Sequence, residues 1–210
     1  MTKHTIRELC HLAPVIPVLV IEDITTALPL GTALVAGGLP VLEVTLRTEC
    51  ALEAISAMTK IPNSIVGAGT VLNAEDAAKA AKAGAQFAVS PGATTELIKA
   101  CEELSLPLLP GAATASEAMN LLARGYSIQK FFPAEAAGGA PFLKSLASPL
   151  PQITFCPTGG ISLESAPEYL KLPNVSCVGG SWVAPKPTLQ QQDWQTIRQL
   201  AQNSIQELSP

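Results

Sequence analysis

The chain is 210 residues long, 48% apolar and 14% charged, with a formal net charge of −4 and a pI near 5.2. That size and apolar content bury one substantial core and exclude a disordered chain, and the acidic balance argues against a nucleic-acid binder, which would carry a basic stripe. Aromatics make up only 4%, so the core has to be built from Ala, Val, Leu and Ile.

The segment before Val15 predicts an extra N-terminal helix. The apolar stretch from Pro14 to Ile21 is short, holds two prolines and runs straight into Glu22-Asp23. It reads as neither a signal peptide nor a membrane span. Cys10, Cys50, Cys101, Cys156 and Cys177 are dispersed, odd in number and form no CxxC pair. This usage predicts reduced thiols and a cytoplasmic protein.

Short β-branched or apolar runs then recur: Val15–Ile21, Val41–Arg47, Ser64–Gly69, Gln86–Ser90, Pro107–Pro110, Ile128–Phe132, Ile153–Pro157 and Val175–Gly179. Their starts lie 21 to 26 residues apart, the length of one strand-plus-helix unit. Between them are helix starts at Asn73-Ala74-Glu75-Asp76, Thr94-Thr95-Glu96, Ser116-Glu117 and Ser162-Leu163-Glu164-Ser165, and helix stops at Gly84 and Gly125. Gln190–Leu208 predicts the last helix. Eight such units predict a (β/α)8 TIM barrel with a short N-terminal capping helix on its floor, one domain over residues 1–210. The alternative is a doubly wound open sheet, but its dinucleotide signature is nearly absent: Gly67-Ala68-Gly69-Thr70-Val71-Leu72 has Leu where the third glycine belongs.

Two runs carry charges where a buried strand should not. Lys130 interrupts Ser127-Ile128-Gln129-Lys130-Phe131-Phe132, and Glu43 and Arg47 interrupt Val41-Leu42-Glu43-Val44-Thr45-Leu46-Arg47. Burial disfavours the ammonium form, and a free amine can attack a carbonyl to give a Schiff base. The bland readings are a lysine snorkelling from an edge strand and an ion pair that only fills the barrel. Alternation puts Glu43, Thr45 and Arg47 on one face and Val44 and Leu46 on the other; Lys130 shares its face with Ile128 and Phe132, and Thr154, Cys156 and Thr158 share another. In a barrel, Glu43, Arg47 and Lys130 would converge at the C-terminal mouth.

Thr158-Gly159-Gly160 and Gly179-Gly180-Ser181 follow the seventh and eighth runs, where barrels commonly hold phosphate on backbone N–H groups. Thr70 is a candidate hydroxyl donor to a carboxylate or a helix cap. Pro91, at the exit of the fourth run, fixes a loop and can be purely structural. His4 and His11 are the only histidines, both precede the first strand, and no paired-carboxylate set stands at strand ends. That fits poorly with a metal-dependent aldolase or epimerase, or with a serine triad.

Taken together, Leu42-Glu43-Val44-Thr45-Leu46-Arg47-Thr48, Gly67-Ala68-Gly69-Thr70-Val71-Leu72, Phe87-Ala88-Val89-Ser90-Pro91-Gly92, Lys130-Phe131-Phe132-Pro133-Ala134-Glu135, Pro157-Thr158-Gly159-Gly160-Ile161 and Gly179-Gly180-Ser181-Trp182 resemble the class I 2-keto-3-deoxy-6-phosphogluconate aldolases, which also act as 4-hydroxy-2-oxoglutarate aldolases. The resemblance runs in order from about Val15 to Trp182. It implies a homotrimeric barrel that binds a 2-keto acid phosphate and releases pyruvate, with no cofactor, no metal, no nucleic acid and no membrane partner. It carries the Schiff-base role to Lys130 and the proton shuttle to Glu43. Arg47 and Thr70 would hold the pyruvyl carboxylate, with Phe132, Thr158 and Pro91 lining the pocket and Gly159, Gly160, Gly179, Gly180 and Ser181 near the phosphate. Ala137 stands where relatives often carry a polar residue. An epimeric sugar-acid substrate, a non-catalytic phosphate-binding barrel and a metal-dependent isomerase on the same fold stay open at this point.

Overall fold

A computed structural model of the chain describes residues 4–209. Helix α1 (Ile6–Leu9) opens it, started by a capping box in which Thr5 accepts from the Glu8 amide and Glu8 accepts in return. Strand β1 (Val15–Leu19), a 3-10 turn (Ile24–Thr26) and α2 (Ala27–Ala36) follow. Next come β2 (Val41–Thr45), α3 (Ala51–Met58), β3 (Ile65–Gly69), α4 (Ala74–Lys82), β4 (Ala88–Val89) and α5 (Thr95–Glu103). The second half has β5 (Leu108–Leu109), β6 (Gly111–Ala112), α6 (Ala115–Ala123), β7 (Ile128–Phe131) and α7 (Gly139–Leu146). It ends with β8 (Thr154–Pro157), α8 (Ala166–Leu170), β9 (Val178–Gly180), α9 (Lys186–Gln190) and α10 (Trp194–Leu208). Among the described residues no helix is long and apolar enough to cross a membrane.

Every strand pair is parallel. One sheet has six strands in the order β5-β4-β3-β2-β1-β9, and a second has three in the order β6-β7-β8. The two sheets meet at Pro110, which has no N–H to continue a ladder; β5 ends before it, and β6 follows it, just beyond the expected run Pro107–Pro110. Its carbonyl still accepts from the Lys130 amide at 2.8 Å. At the other edge, isolated bridges join Phe155 to Val175 and Thr158 to Gly179.

Alternation along the strands sorts the apolar residues into two clusters. Leu42, Val44, Phe131 and Phe155 pack outward against the helices, while Ile16, Val41, Phe87, Ile128 and Cys156 pack together on the inner face. Leu9 and Cys10, at the end of α1, join the inner cluster. All five cysteines are free thiols, and Cys10, Cys156 and Cys177 meet inside that inner cluster.

Seven of the eight runs contain a strand, the last overlaps β9 only at Val178 and Gly179, and helices start at Asn73 and Thr94 as expected: Asn73 accepts from the Asp76 amide at 2.9 Å and Thr94 from the Leu97 amide at 3.2 Å. Gly84 and Gly125 stop their helices in the left-handed region, at φ of 94° and 91°. Four boundaries differ. Arg47 lies in the turn after β2 rather than in the strand, because pairing with β3 ends at Thr45 and Gly69. Helix α6 starts at Ala115, on a Thr114–Glu117 capping box, rather than at Ser116. Ser162 and Ser165 cap each other's amides in a turn, and α8 begins only after it. The expected last helix from Gln190 is two helices, broken at Gln192, whose φ is 53°.

Candidate active site

Register brings the two anomalous charges together. In the β1–β2–β3 ladder Glu43 stands between Val18 and Gly67, and in the β6–β7–β8 ladder Lys130 stands between Gly111 and Cys156. Both side chains point to the inner face, and Lys130 Nζ donates to Glu43 Oε1 at 3.2 Å. Lys130 is 4% exposed and Glu43 3%. A charge that deep is tolerated only with a partner, and each is the other's. The Phe132 ring lies beside the amine, its centroid 5.4 Å from Nζ.

Glycine makes the space. A Cβ on Gly69 would overlap the Glu43 carboxylate, so the strand beside β2 must carry no side chain there for Glu43 to reach Lys130. Gly67 likewise leaves room for the Phe87 ring, which fills the inner face below.

Arg47 and Thr70 form a second pair. Arg47 Nε donates to Thr70 Oγ1 at 3.0 Å, and no other side-chain hydrogen bond or ion pair engages the guanidinium among the described residues. Thr70 sits at φ 58°, a conformation that a β-branched residue adopts only under strain. It does not cap α4; Asn73 does. Thr45, two residues along β2 from Glu43, donates to the Leu19 carbonyl of β1 at 2.9 Å.

The two glycine turns lie beyond β8 and β9. Gly159 and Gly160 have φ of 105° and 82°, open only to glycine without strain. Gly159 packs on the Phe132 ring and Gly160 on the side chain of Glu135. Thr158, 6% exposed, occupies the space a Cβ on Gly179 would need, and the Trp182 ring does the same at Gly180. Ser181 is exposed and lines a cleft of about 660 Å³ with Val18, Val20, Trp182 and Lys186. Lys130 and Glu43 do not line that cleft. Pro91 is partly buried, and its carbonyl is the group that a Cβ on Gly111, the register partner of Lys130, would strike.

Two contacts around these turns had no signal in the sequence. Trp182 Nε1 donates to Ser204 Oγ at 3.0 Å, and Ser204, fully buried on α10, donates in turn to the Leu200 carbonyl. The C-terminal helix thus holds the residue next to Ser181. Tyr169 on α8 donates its hydroxyl to Glu135 Oε1 at 2.7 Å. Among the described residues no group of three or more His, Cys, Asp or Glu is arranged to hold a metal ion.

Residues 6–200 match the family described as "Aldolase: KDPG and KHG aldolase". The KHG/KDPG aldolase of Escherichia coli is 48% identical over 205 residues, covering 97% of this chain and 96% of its own. The 2-keto-3-deoxy-6-phosphogluconate aldolase of Zymomonas mobilis, solved with 3-phosphoglycerate, superposes with a TM-score of 0.91 at 53% identity, covering 97% of this chain and 96% of that one. The KDPG aldolase of Legionella pneumophila, solved with pyruvate captured as a covalent carbinolamine intermediate, superposes with a TM-score of 0.91 at 47% identity, covering 94% and 96%. The chain belongs to the KDPG and KHG aldolase family.

Proposed function

We propose that this chain is a class I, metal-independent aldolase that cleaves 2-keto-3-deoxy-6-phosphogluconate to pyruvate and glyceraldehyde 3-phosphate, and also 4-hydroxy-2-oxoglutarate to pyruvate and glyoxylate. The observation that carries the reading is the buried Lys130–Glu43 contact at 3.2 Å. The whole chain acts as one domain on a closed (β/α)8 barrel. The β1–β9 pairing and the two bridges between β8 and the approach to β9 support that closure. By family resemblance it works as a cytoplasmic homotrimer.

In this mechanism Lys130 gives up a proton to Glu43 and attacks the C2 ketone as the free amine. Glu43 then returns protons as the carbinolamine loses water to become an iminium. Glu43, a carboxylate again, takes the C4 hydroxyl proton while the iminium accepts the electron pair of the breaking C3–C4 bond; the aldehyde leaves, the enamine takes a proton at C3, and water hydrolyses the resulting iminium to pyruvate and the free Lys130 amine. Arg47 offers its unused fork to the carboxylate beside the Thr70 hydroxyl. Phe132, Thr158 and Pro91 wall the pocket. Gly159, Gly160, Gly179, Gly180 and Ser181 receive the phosphate, whose binding far from the breaking bond orients the substrate. Pyruvate as a carbinolamine in the Legionella relative and 3-phosphoglycerate in the Zymomonas relative support the two ends of this assignment.

The test is mass spectrometry after incubation with pyruvate and borohydride. One reduced pyruvyl adduct on the peptide holding Lys130 is expected, and its absence from folded protein at saturating pyruvate would remove Schiff-base chemistry. Activity is expected to survive a strong chelator; loss that returns with added metal would favour a metal-dependent barrel enzyme.

A further inference from the structure

We infer that Tyr169 and Glu135 form a positioning pair that sets the Gly159–Gly160 turn, and so governs how tightly the phosphorylated end of the substrate is held. The inference rests on the proposal that this turn receives phosphate.

Glu135 is an exposed carboxylate at the exit of the lysine-bearing strand β7. In water such a side chain would sample several rotamers. Here it is fixed: Tyr169 Oη–H donates to Oε1 at 2.7 Å, the length of a charge-assisted bond. Tyr169 itself is 1% exposed. Packing at that depth is served equally well by phenylalanine, and a buried hydroxyl costs free energy unless it finds partners; here it donates to Glu135 and accepts from the Ala140 N–H at the start of α7. Burial, then the neighbouring carboxylate, pushes the Tyr169 phenol well above its ordinary range, so it stays a donor at any working pH.

Glu135 in turn grips the turn. Its backbone N–H donates to the Gly159 carbonyl at 3.1 Å, and the preceding Ala134 N–H donates to the Thr158 carbonyl at 2.8 Å. A Cβ on Gly160 would come within 2.7 Å of Glu135 Cγ and 2.9 Å of Cβ, so the side chain lies against the turn itself. On the other side, a Cβ on Gly159 would meet the Phe132 ring at 3.3 Å. Phe132 and Glu135 both belong to the segment that follows Lys130. The covalent anchor and the anion turn are therefore spaced by one short stretch of chain, and Tyr169 decides where the last residue of that stretch sits. The same bond holds the carboxylate against α8 and the start of α7, where Glu135 Oε2 approaches Gly139, so its charge is not free to swing over the turn and repel a phosphate.

Tyr169→Phe removes one oxygen from the full chain and tests this directly. For 2-keto-3-deoxy-6-phosphogluconate, KM is expected to rise about tenfold with kcat unchanged, the loss typical of a hydrogen bond to a charged group. For unphosphorylated 4-hydroxy-2-oxoglutarate neither constant should move. Glu135→Ala should reproduce the split and Glu135→Gln, which keeps an acceptor for the hydroxyl, should restore the wild-type KM. If Tyr169→Phe fails to fold, the exposed Glu135→Ala carries the same test. Equal effects on both substrates, or none on either with the fold intact, would overturn the pair. A wild-type chain that neither turns over the phosphorylated acid nor traps pyruvate would instead overturn the proposed function, and this inference with it.

Discussion

Lys130 Nζ and Glu43 Oε1 lie 3.2 Å apart, 87 residues apart in the chain, each almost wholly removed from water. The fold spends considerable stability on that contact. Burying two charges is rarely repaid by their attraction alone, and an apolar pair of similar volume is often as stable or more so. A pair kept at such a cost is more readily explained by chemistry than by packing.

The cost can be measured. Lys130→Ala leaves Glu43 buried without its partner and is expected to destabilise the fold by about 3–5 kcal/mol while abolishing borohydride trapping. Replacing both residues with methionine removes both charges at similar volume, and should recover most of the loss in denaturant unfolding while activity stays absent. A double variant no more stable than Lys130→Ala would mean that the pair is structural.

Glu43→Gln keeps the shape and a hydrogen-bond acceptor but cannot take a proton. Its rate should fall by roughly 10²–10⁴-fold, and stability should fall as well, because Lys130 stays buried without its counter-charge. Gly69→Ala should approach the same result by a different route. The new methyl group would stand 2.6 Å from Glu43 Cγ and 2.8 Å from Cδ, so the carboxylate must leave its place beside Lys130. Steady-state rates comparable to wild type for Gly69→Ala would show that Glu43 acts without this geometry.

Much of this site was legible in the sequence because the signals are local. A charge at an inward position of an apolar strand is anomalous by alternation alone, so Glu43 and Lys130 stand out before any contact is known. The strand runs and the Asn73, Thr94, Gly84 and Gly125 punctuation are local for the same reason. What was not legible depends on side chains meeting across the fold. Trp182 and Ser204 are 22 residues apart and Glu135 and Tyr169 are 34 apart, each pair joining a turn to a helix whose face no strand periodicity predicts. The break at Pro110 fails for another reason: the proline is visible, but the run on either side pairs with different neighbours, and only the register shows it.

Thr70 is expected to trade stability for binding. Held at φ 58°, it carries strain of about 1–2 kcal/mol, against which glycine's extra chain entropy costs about 0.5–1 kcal/mol. Thr70→Gly should therefore unfold at the same temperature or a higher one. It should also raise KM for pyruvyl substrates about tenfold, since Arg47 loses its side-chain partner Thr70 and the carboxylate loses a donor. A variant that melts several degrees lower with an unchanged KM would reverse both parts.

Ser204→Ala tests whether the C-terminal helix serves the site or only the core. It strips Trp182 Nε1 of its acceptor while leaving α10 packed, and the lost bond should cost about 1–3 kcal/mol if the indole N–H stays buried. A helix that matters only to the core would show this as a lower melting temperature and nothing else. The Trp182 ring, however, lies against Gly180 and follows directly on Ser181, so its loosening should reach the turn proposed to hold phosphate. The expected result is a several-fold rise in KM for 2-keto-3-deoxy-6-phosphogluconate, with 4-hydroxy-2-oxoglutarate kinetics unchanged. Ser204→Thr, which keeps the hydroxyl in a fully buried position, should hold KM near wild type even where its added methyl lowers stability.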